Sequence, residues 1–437
     1  MQLLIAAIIG ITVTQPPLVD QAGDESWTAP GYTVEEIVSI NPLDYGEPIR
    51  RAGDQACISC QMFFVDTDQG EKWRIVIVFR DKVTVLQEDE EQRDIPLTCT
   101  PQGAIYSRGG RYMLVQGSLN SQPYDELISI DSGEVTPYLF RQQTGWGGYV
   151  FVCDNGSTAR SSYGQMFRSD PGRIQIIDSD LNVLMDWEDQ TTGTMEGSRN
   201  PIHLYNNGSI GVAADGSLFL RSFSPADERT AYVTAYDADG DILWESSDCP
   251  YMLITSDGEY LLLADGSDII TMDASTGELL QTYTREEGGL NAPTCSPTGH
   301  AWAVQLRHGL ESGLIWGTDP SRDNDMRVLS YFSEEWDHVN PYRVSELGYV
   351  LGTTTALEPS GYQHWFKRFA LVSSNGSIVW ISTVYDYDSG SFEAHGCNLN
   401  HEPELGAIPC AIQTDGIRFA YSDYEMLRVF AVDGGGE

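Results

Sequence analysis

Positive charge is scarce in this chain. Its 437 residues hold 25 Lys and Arg against 64 Asp and Glu, a net charge of −39, and only Lys72, Lys82 and Lys367 are lysines. A surface of this kind repels nucleic acid, because phosphate binding needs a basic stripe. It repels anionic membrane surfaces for the same reason. Two origins fit the acidity. One is solubility from self-repulsion; the other is adaptation to high salt, where screening relieves crowded carboxylates, and the scarcity of Lys relative to Arg fits such adaptation or a GC-rich genome. Neither specifies a function.

Catalytic motifs are missing as well. There is no nucleophile elbow, no HExxH and no glycine loop able to cradle a phosphate. The seven histidines all fall between His203 and His401, with no local acid–base signature. His395 and His401 around Cys397 are the one group with transition-metal ligand types. No long stretch carries helical periodicity.

Long apolar runs are also absent, with one exception. Met1 to Thr14 is apolar and ends at Gln15-Pro16-Pro17. It suits the hydrophobic region of a signal peptide and is too short to span a bilayer. No basic residue precedes it; residues 1–14 are expected to direct export and be removed, the alternative being a buried N-terminal strand. The eight cysteines, an even number, fit a secreted protein in which most serve as structural disulfides. Cys57 and Cys60 form a CxxC, but Gln61 follows where haem attachment requires His, and no second CxxC completes a zinc knuckle.

What the sequence does contain is a repeat. A tetrapeptide ending in Gly recurs after a short apolar stretch: Thr67 to Gly70, Ser107 to Gly110, Cys153 to Gly156 and Ala213 to Gly216. It returns as Thr255 to Gly258, Ser296 to Gly299, Ser345 to Gly348 and Gln413 to Gly416. Asp-Gly and Asn-Gly supply the positive φ of tight hairpin turns. Each turn is followed by further strand-like runs. The third strand of the unit recurs as Glu126-Leu-Ile-Ser-Ile-Asp131, Arg173-Ile-Gln-Ile-Ile-Asp178, Tyr232-Val-Thr-Ala-Tyr-Asp237 and Leu427-Arg-Val-Phe-Ala-Val-Asp433.

Four short strands per unit, repeated at this spacing, predict an all-β, single β-propeller over residues 56–437, with about eight four-stranded blades and seven as the alternative count. The pattern resembles the broad superfamily of WD-repeat, YVTN and quinoprotein-like propellers. That resemblance implies architecture and leaves activity open, because propellers host many functions. Ala235 to Trp244 is similar to the tryptophan-docking motif of quinoprotein dehydrogenases. It occurs about once, and no adjacent cysteine pair exists to bind the quinone. The last unit lacks a fourth strand, and Tyr32 to Ile40 reads as a strand without employment. Residues 15–55 are therefore expected to supply the closing strand and remove an exposed edge.

In such a unit the connections after second and fourth strands share one face, and they carry most insertions. Tyr163, Phe223, Trp336, Tyr362, Trp365 and Tyr385 lie on them and form the candidate binding set, able to stack on sugars or anchor a peptide. The alternative for each is packing against a neighbouring loop. Asp237, Asp239 and Asp241 form an acidic turn with ligand types suited to calcium, though ordinary turn aspartates explain it too. Asn155, Asn207 and Asn375 each begin Asn-Gly-Ser, which reads as a hairpin turn or a glycosylation acceptor.

The expected function is a secreted, non-catalytic module that binds or scaffolds a protein or glycan, with self-assembly into an extracellular structure as a variant. The alternative is an extracellular polysaccharide hydrolase or lyase whose carboxylates come from separate blades and so leave no local motif.

Overall fold

The computed structural model describes residues 26–49, 59–107, 109–139, 148–162, 173–188, 210–212, 218–223, 231–237, 241–247, 251–254, 260–265, 268–284, 289–296, 301–308, 311–317, 327–331, 338–357, 365–374, 378–382, 410–422 and 426–434. Two strands open the chain, β1 (Trp27–Thr28) and β2 (Tyr32–Ile40). Sheet A follows, with β3 (Cys60–Thr67), β4 (Gly70–Val78), β5 (Lys82–Gln87) and β6 (Arg93–Pro96). Sheet B is β7 (Thr100–Tyr106), β8 (Tyr112–Leu119), β9 (Gln122–Pro123), β10 (Asp125–Ser129) and β11 (Val135–Tyr138). Sheet C is β12 (Gly148–Val152), β13 (Thr158–Ser162), β14 (Arg173–Ile177) and β15 (Val183–Glu188).

Sheet D is β16 (Ile210–Val212), β17 (Leu218–Phe223), β18 (Ala231–Tyr236) and β19 (Ile242–Ser247). Sheet E is β20 (Tyr251–Ile254), β21 (Tyr260–Asp265), β22 (Asp268–Asp273) and β23 (Leu279–Thr284). Sheet F is β24 (Gly289–Cys295), β25 (Trp302–His308), β26 (Glu311–Gly317) and β27 (Arg327–Tyr331). Sheet G is β28 (His338–Val344), β29 (Val350–Leu357), β30 (Trp365–Val372) and β31 (Ile378–Ile381), with β1 added beyond β31. Sheet H is β32 (Cys410–Ile412), β33 (Arg418–Ser422) and β34 (Leu427–Gly434), with β2 paired to β34.

All ladders are antiparallel meanders. The first strands of successive sheets lie against one another, as β7 does with β12, β20 with β24, β24 with β28, β28 with β32, and β32 with β3. The chain is a single, all-β propeller. The expectation of about eight four-stranded blades, or seven, is not met among the described residues. Six sheets have four strands each, and two, B and G, have five. The additional strands are the two-residue β1, which extends the edge of sheet G beyond β31, and β9, which pairs with the inner strand β8 just before β10 does.

Strand periodicity explains how the sheets hold together. Ile75, Val76, Ile77 and Val78 of β4 are all fully buried, although neighbours on a strand point to opposite faces. Ile75 and Ile77 pack with Ala411, Ala420, Leu427 and Val429 of sheet H. Val76 and Val78 face the other way, onto Met113, Val115 and Ile128 of sheet B. Leu114, between Met113 and Val115, turns toward Val150, Val152 and Ile177 of sheet C. A central strand covered on both faces reads as a continuous apolar run for this reason. Each such side chain contributes roughly 1.5–3 kcal/mol by burial.

The disulfide expectation is corrected. Cys60, Cys99, Cys153 and Cys410 form no disulfide. Cys60 and Cys410 each begin an innermost strand and lie in the apolar packing on either side of sheet H, where they act as small hydrophobic residues. Burial pushes the Cys60 thiol up to about 12. Cys57, Cys249 and Cys397 lie outside the described residues.

Candidate binding face

The two ends of the sheets are built differently. At one end, four of the described turns between first and second strands are short and alike. Gly110, Gly156, Gly348 and Gly416 have φ of 69°, 83°, 82° and 76°, and each donates its N–H to the carbonyl three residues earlier, on Ser107, Cys153, Ser345 and Gln413. Where the first turn residue is serine, its hydroxyl closes the loop. Ser107 Oγ accepts from the N–H groups of Arg111 and Tyr112, and Ser345 Oγ accepts from Tyr349 N–H at 2.9 Å.

These turns are then tied to their neighbours. Asp154, in the turn of sheet C, accepts from Gly109 N–H in the turn of sheet B at 2.9–3.0 Å. Glu346, at the same turn position in sheet G, accepts from Ser296 Oγ in sheet F at 2.8 Å. Glu71 of sheet A accepts from Thr414 N–H of sheet H at 2.9 Å. Burial raises the Glu71 carboxyl above its ordinary value, and the hydrogen bonds from Thr414 oppose that shift. Aromatic rings lie over the glycines. A Cβ on Gly110 would fall 2.5 Å from the Phe63 ring, one on Gly156 2.8 Å from Tyr112, and one on Gly416 2.5 Å from Tyr349.

The turns between third and fourth strands complete this end, and they use aspartate as an internal acceptor. Asp178 accepts from Asn182 N–H at 2.7 Å, and Asp237 from Asp241 N–H at 2.9 Å. Asp273 accepts from the N–H and hydroxyl groups of Ser275 and Thr276, with Ser275 foremost in holding its carboxyl below the usual range. The Asp237 carboxylate proposed for calcium thus has the same turn-closing bond as Asp178. Asp239 lies outside the described residues, and among those described no group of three metal-ligating side chains occurs.

The opposite end holds the C-terminal ends of the second and fourth strands. Residues 163–172, 189–209, 224–230, 332–337, 358–364 and 383–409 all bridge strands whose bounding ends lie there. Of the candidate binding residues, Phe223 and Trp365 are described, and their positions differ from expectation. Phe223 ends β17, opposite Ala231, and Trp365 begins β30, opposite Leu357. They are strand residues at the rim, because the hairpin ladders run further than the sequence pattern suggested. Tyr163, Trp336, Tyr362 and Tyr385 lie outside the described residues, as do His395 and His401.

Sequence reasoning missed a buried polar clamp near this end. Glu126, on β10, is 1% exposed; its carboxylate accepts from Thr98 N–H at 3.1 Å and from Cys99 N–H at 3.3 Å. Thr98 and Cys99 form the crossing from sheet A to sheet B, so the clamp fixes where one unit hands over to the next. Asp125 beside it accepts from Gly117 N–H. Burial, with the Glu126 hydrogen bond and charge adding to it, pushes the Cys99 thiol up to about 12. A thiol held in that form is a poor nucleophile at neutral pH. The available signal was two adjacent acids opening an apolar strand, which does not show that both are buried.

Comparison with known proteins adds little. No family model matches the chain, and no curated protein sequence does. Among solved structures, the chain is similar to one titled crystal structure of the eukaryotic initiation factor, at 10% identity and a TM-score of 0.47, covering 83% of this chain and 89% of that one. It is also similar to one titled structure of Dos1 propeller, at 7% identity and a TM-score of 0.39, covering 75% and 90%.

Proposed function

We propose that this protein is a secreted, non-catalytic propeller that binds a protein or glycan through the end carrying its long connections. The asymmetry between the two ends carries the reading. One end is consumed by glycine turns and turn-to-turn hydrogen bonds, while the other gathers the insertions, with Phe223 and Trp365 at their bases. Long connections on a rigid scaffold are where recognition concentrates. The described acids Glu126, Asp154, Asp178, Asp237 and Asp273 all accept from backbone N–H groups, a structural use of carboxylates. We further propose that β2, laid along β34, is the clasp that closes the ring.

A glycan array and a pull-down on the mature chain test the binding reading, repeated with Phe223→Ala and Trp365→Ala. The expected result is a specific partner whose affinity falls at least several-fold in both variants, with the melting temperature within a few degrees of the parent. Turnover of an extracellular polysaccharide would overturn it in favour of a hydrolase or lyase. Export is checked by mass spectrometry of the native protein, expected to begin near residue 15.

A further inference from the structure

The outer rim shows a second pattern, independent of the long connections. A sheet edge is a template for another strand, and proteins usually blunt or cover it. Here five edges are managed. β6 ends on Pro96 and β11 carries Pro137, neither of which has an N–H to offer. β31 is covered by β1, and β34 by β2. β27 begins on Arg327. The outer strands of sheets C, D and E have no proline, no covering strand and no basic residue among the described residues. They expose apolar side chains instead: Val183 and Leu184 on β15, Ile242 and Leu243 on β19, and Leu279 on β23, with Ile242 60% exposed.

The chain itself displays how such an edge is used. In sheet G the β30–β31 ladder shifts register between Leu371 and Val372, and β1 then pairs beyond the bulge, Thr28 opposite Trp380 and Trp27 opposite Ile381. Ala29 N–H also donates to Val379 O at 2.9 Å. The same shift recurs in three sheets: between Ile176 and Ile177 beside β15, Ala235 and Tyr236 beside β19, and Thr271 and Met272 beside β23. Trp380 pairs with Leu371 as Met185 does with Ile176, Trp244 with Ala235, and Gln281 with Thr271. By that register, Trp244-Glu245 on β19 stands where Trp380-Ile381 receives β1, and Met185-Asp186 and Gln281-Thr282 are its counterparts.

Charge selects the occupant. Asp186 on β15, Glu245 on β19 and Glu278 before β23 are exposed beside the apolar pairs, as are Asp180 and Asp241 in the adjoining turns. The whole chain is strongly acidic, which disfavours a second copy. We infer that the outer edge of β19, and equivalently those of β15 and β23, accepts an extended, arginine- or lysine-bearing segment of a partner protein as an added strand. The main chain supplies the ladder, the apolar pairs take alternate side chains, and the acids select the basic ones.

The test uses two blocked synthetic peptides, one alternating threonine with arginine and one alternating threonine with glutamate, on the full chain. Hydrogen exchange should show the arginine peptide protecting the amides of 244–247, with 185–188 and 281–284, and leaving those of β6 and β11 unchanged. Ile242→Lys combined with Glu245→Lys should weaken binding at the β19 edge roughly tenfold or more with unchanged melting. Methylating alternate peptide nitrogens should abolish binding without altering the protein. Equal binding of the glutamate peptide would overturn the proposal, as would absent protection at these amides. Concentration-dependent self-association that protects them without peptide would assign the edges to a second copy instead.

Discussion

Arg418 donates to both carboxylate oxygens of Glu88, at 2.9 and 2.7 Å, across 330 positions of sequence. The bond joins sheet H to sheet A, and the same guanidinium reaches Gln413 and the carbonyl of Glu71 while lying over the Phe64 ring. Both side chains are largely shielded, at 17% and 26% exposure. A planar cation with several fixed donors suits such a junction, where Lys would supply a point charge.

Removing one partner from this junction should leave the other charge poorly solvated. Arg418→Met and Glu88→Gln are each expected to cost about 1–3 kcal/mol in urea unfolding. The double variant should cost less than the sum of the two. Strict additivity would show that the pair is not coupled.

Glycines with the same φ sign should respond unequally to alanine. Gly110→Ala and Gly416→Ala must displace the Phe63 and Tyr349 rings as well as adopt a strained backbone, and are expected to cost roughly 2–4 kcal/mol. Gly70, with φ of 101° and open space around its missing Cβ, should cost only about 1 kcal/mol. Denaturant midpoints for the three variants rank them; equal losses would mean the rings contribute nothing.

Alkali should loosen the protein through its buried thiols. Cys60 and Cys99 are raised from 9.0 to about 12 when folded, so above pH 9 the unfolded chain releases protons that the folded chain retains. Stability therefore falls as pH rises from 9 toward 12. The Cys60→Ala, Cys99→Ala double variant should lose its melting temperature less steeply over that window. In the native parent, neither thiol should react with iodoacetamide at pH 7.

Glu126→Gln should expose the Cys99 thiol chemically before it disturbs the fold globally. The amide can accept one of the bonds from Thr98 and Cys99 but removes the adjacent negative charge, so the thiol should ionise at lower pH and label faster at pH 10. The expected stability loss is about 1–3 kcal/mol. Unchanged labelling would show that burial alone protects Cys99.

How much of this was legible depends on how local each cause is. The Ser107, Cys153, Ser345 and Gln413 turns could be read, because a positive φ at a fixed offset demands glycine whatever surrounds it. The third strands could be read from apolar runs, and Tyr32–Ile40 as a strand from its own pattern. β1 and β9 could not, since two residues are too few for any period to register. The cysteines misled because an even number is a property of composition, whereas pairing needs two sulfurs at one place. Cys60 and Cys410 instead fill gaps between sheets. Trp365 reads as a loop residue in the sequence because the end of a ladder is set by its partner strand, here Leu357 on β29.

The pairing of β2 with β34 also constrains the order of biosynthesis. β2 leaves the ribosome well before β34, which emerges only after the intervening sheets have been made. At roughly 5–20 residues per second, β2 waits on the order of tens of seconds with its hydrogen-bonding groups unmatched. Through that interval the nascent chain has an open seam at sheet A, where Ile75 and Ile77 lack the side chains of sheet H that later cover them. A folding helper acting on this protein has most to gain by holding the N-terminal strand during that wait.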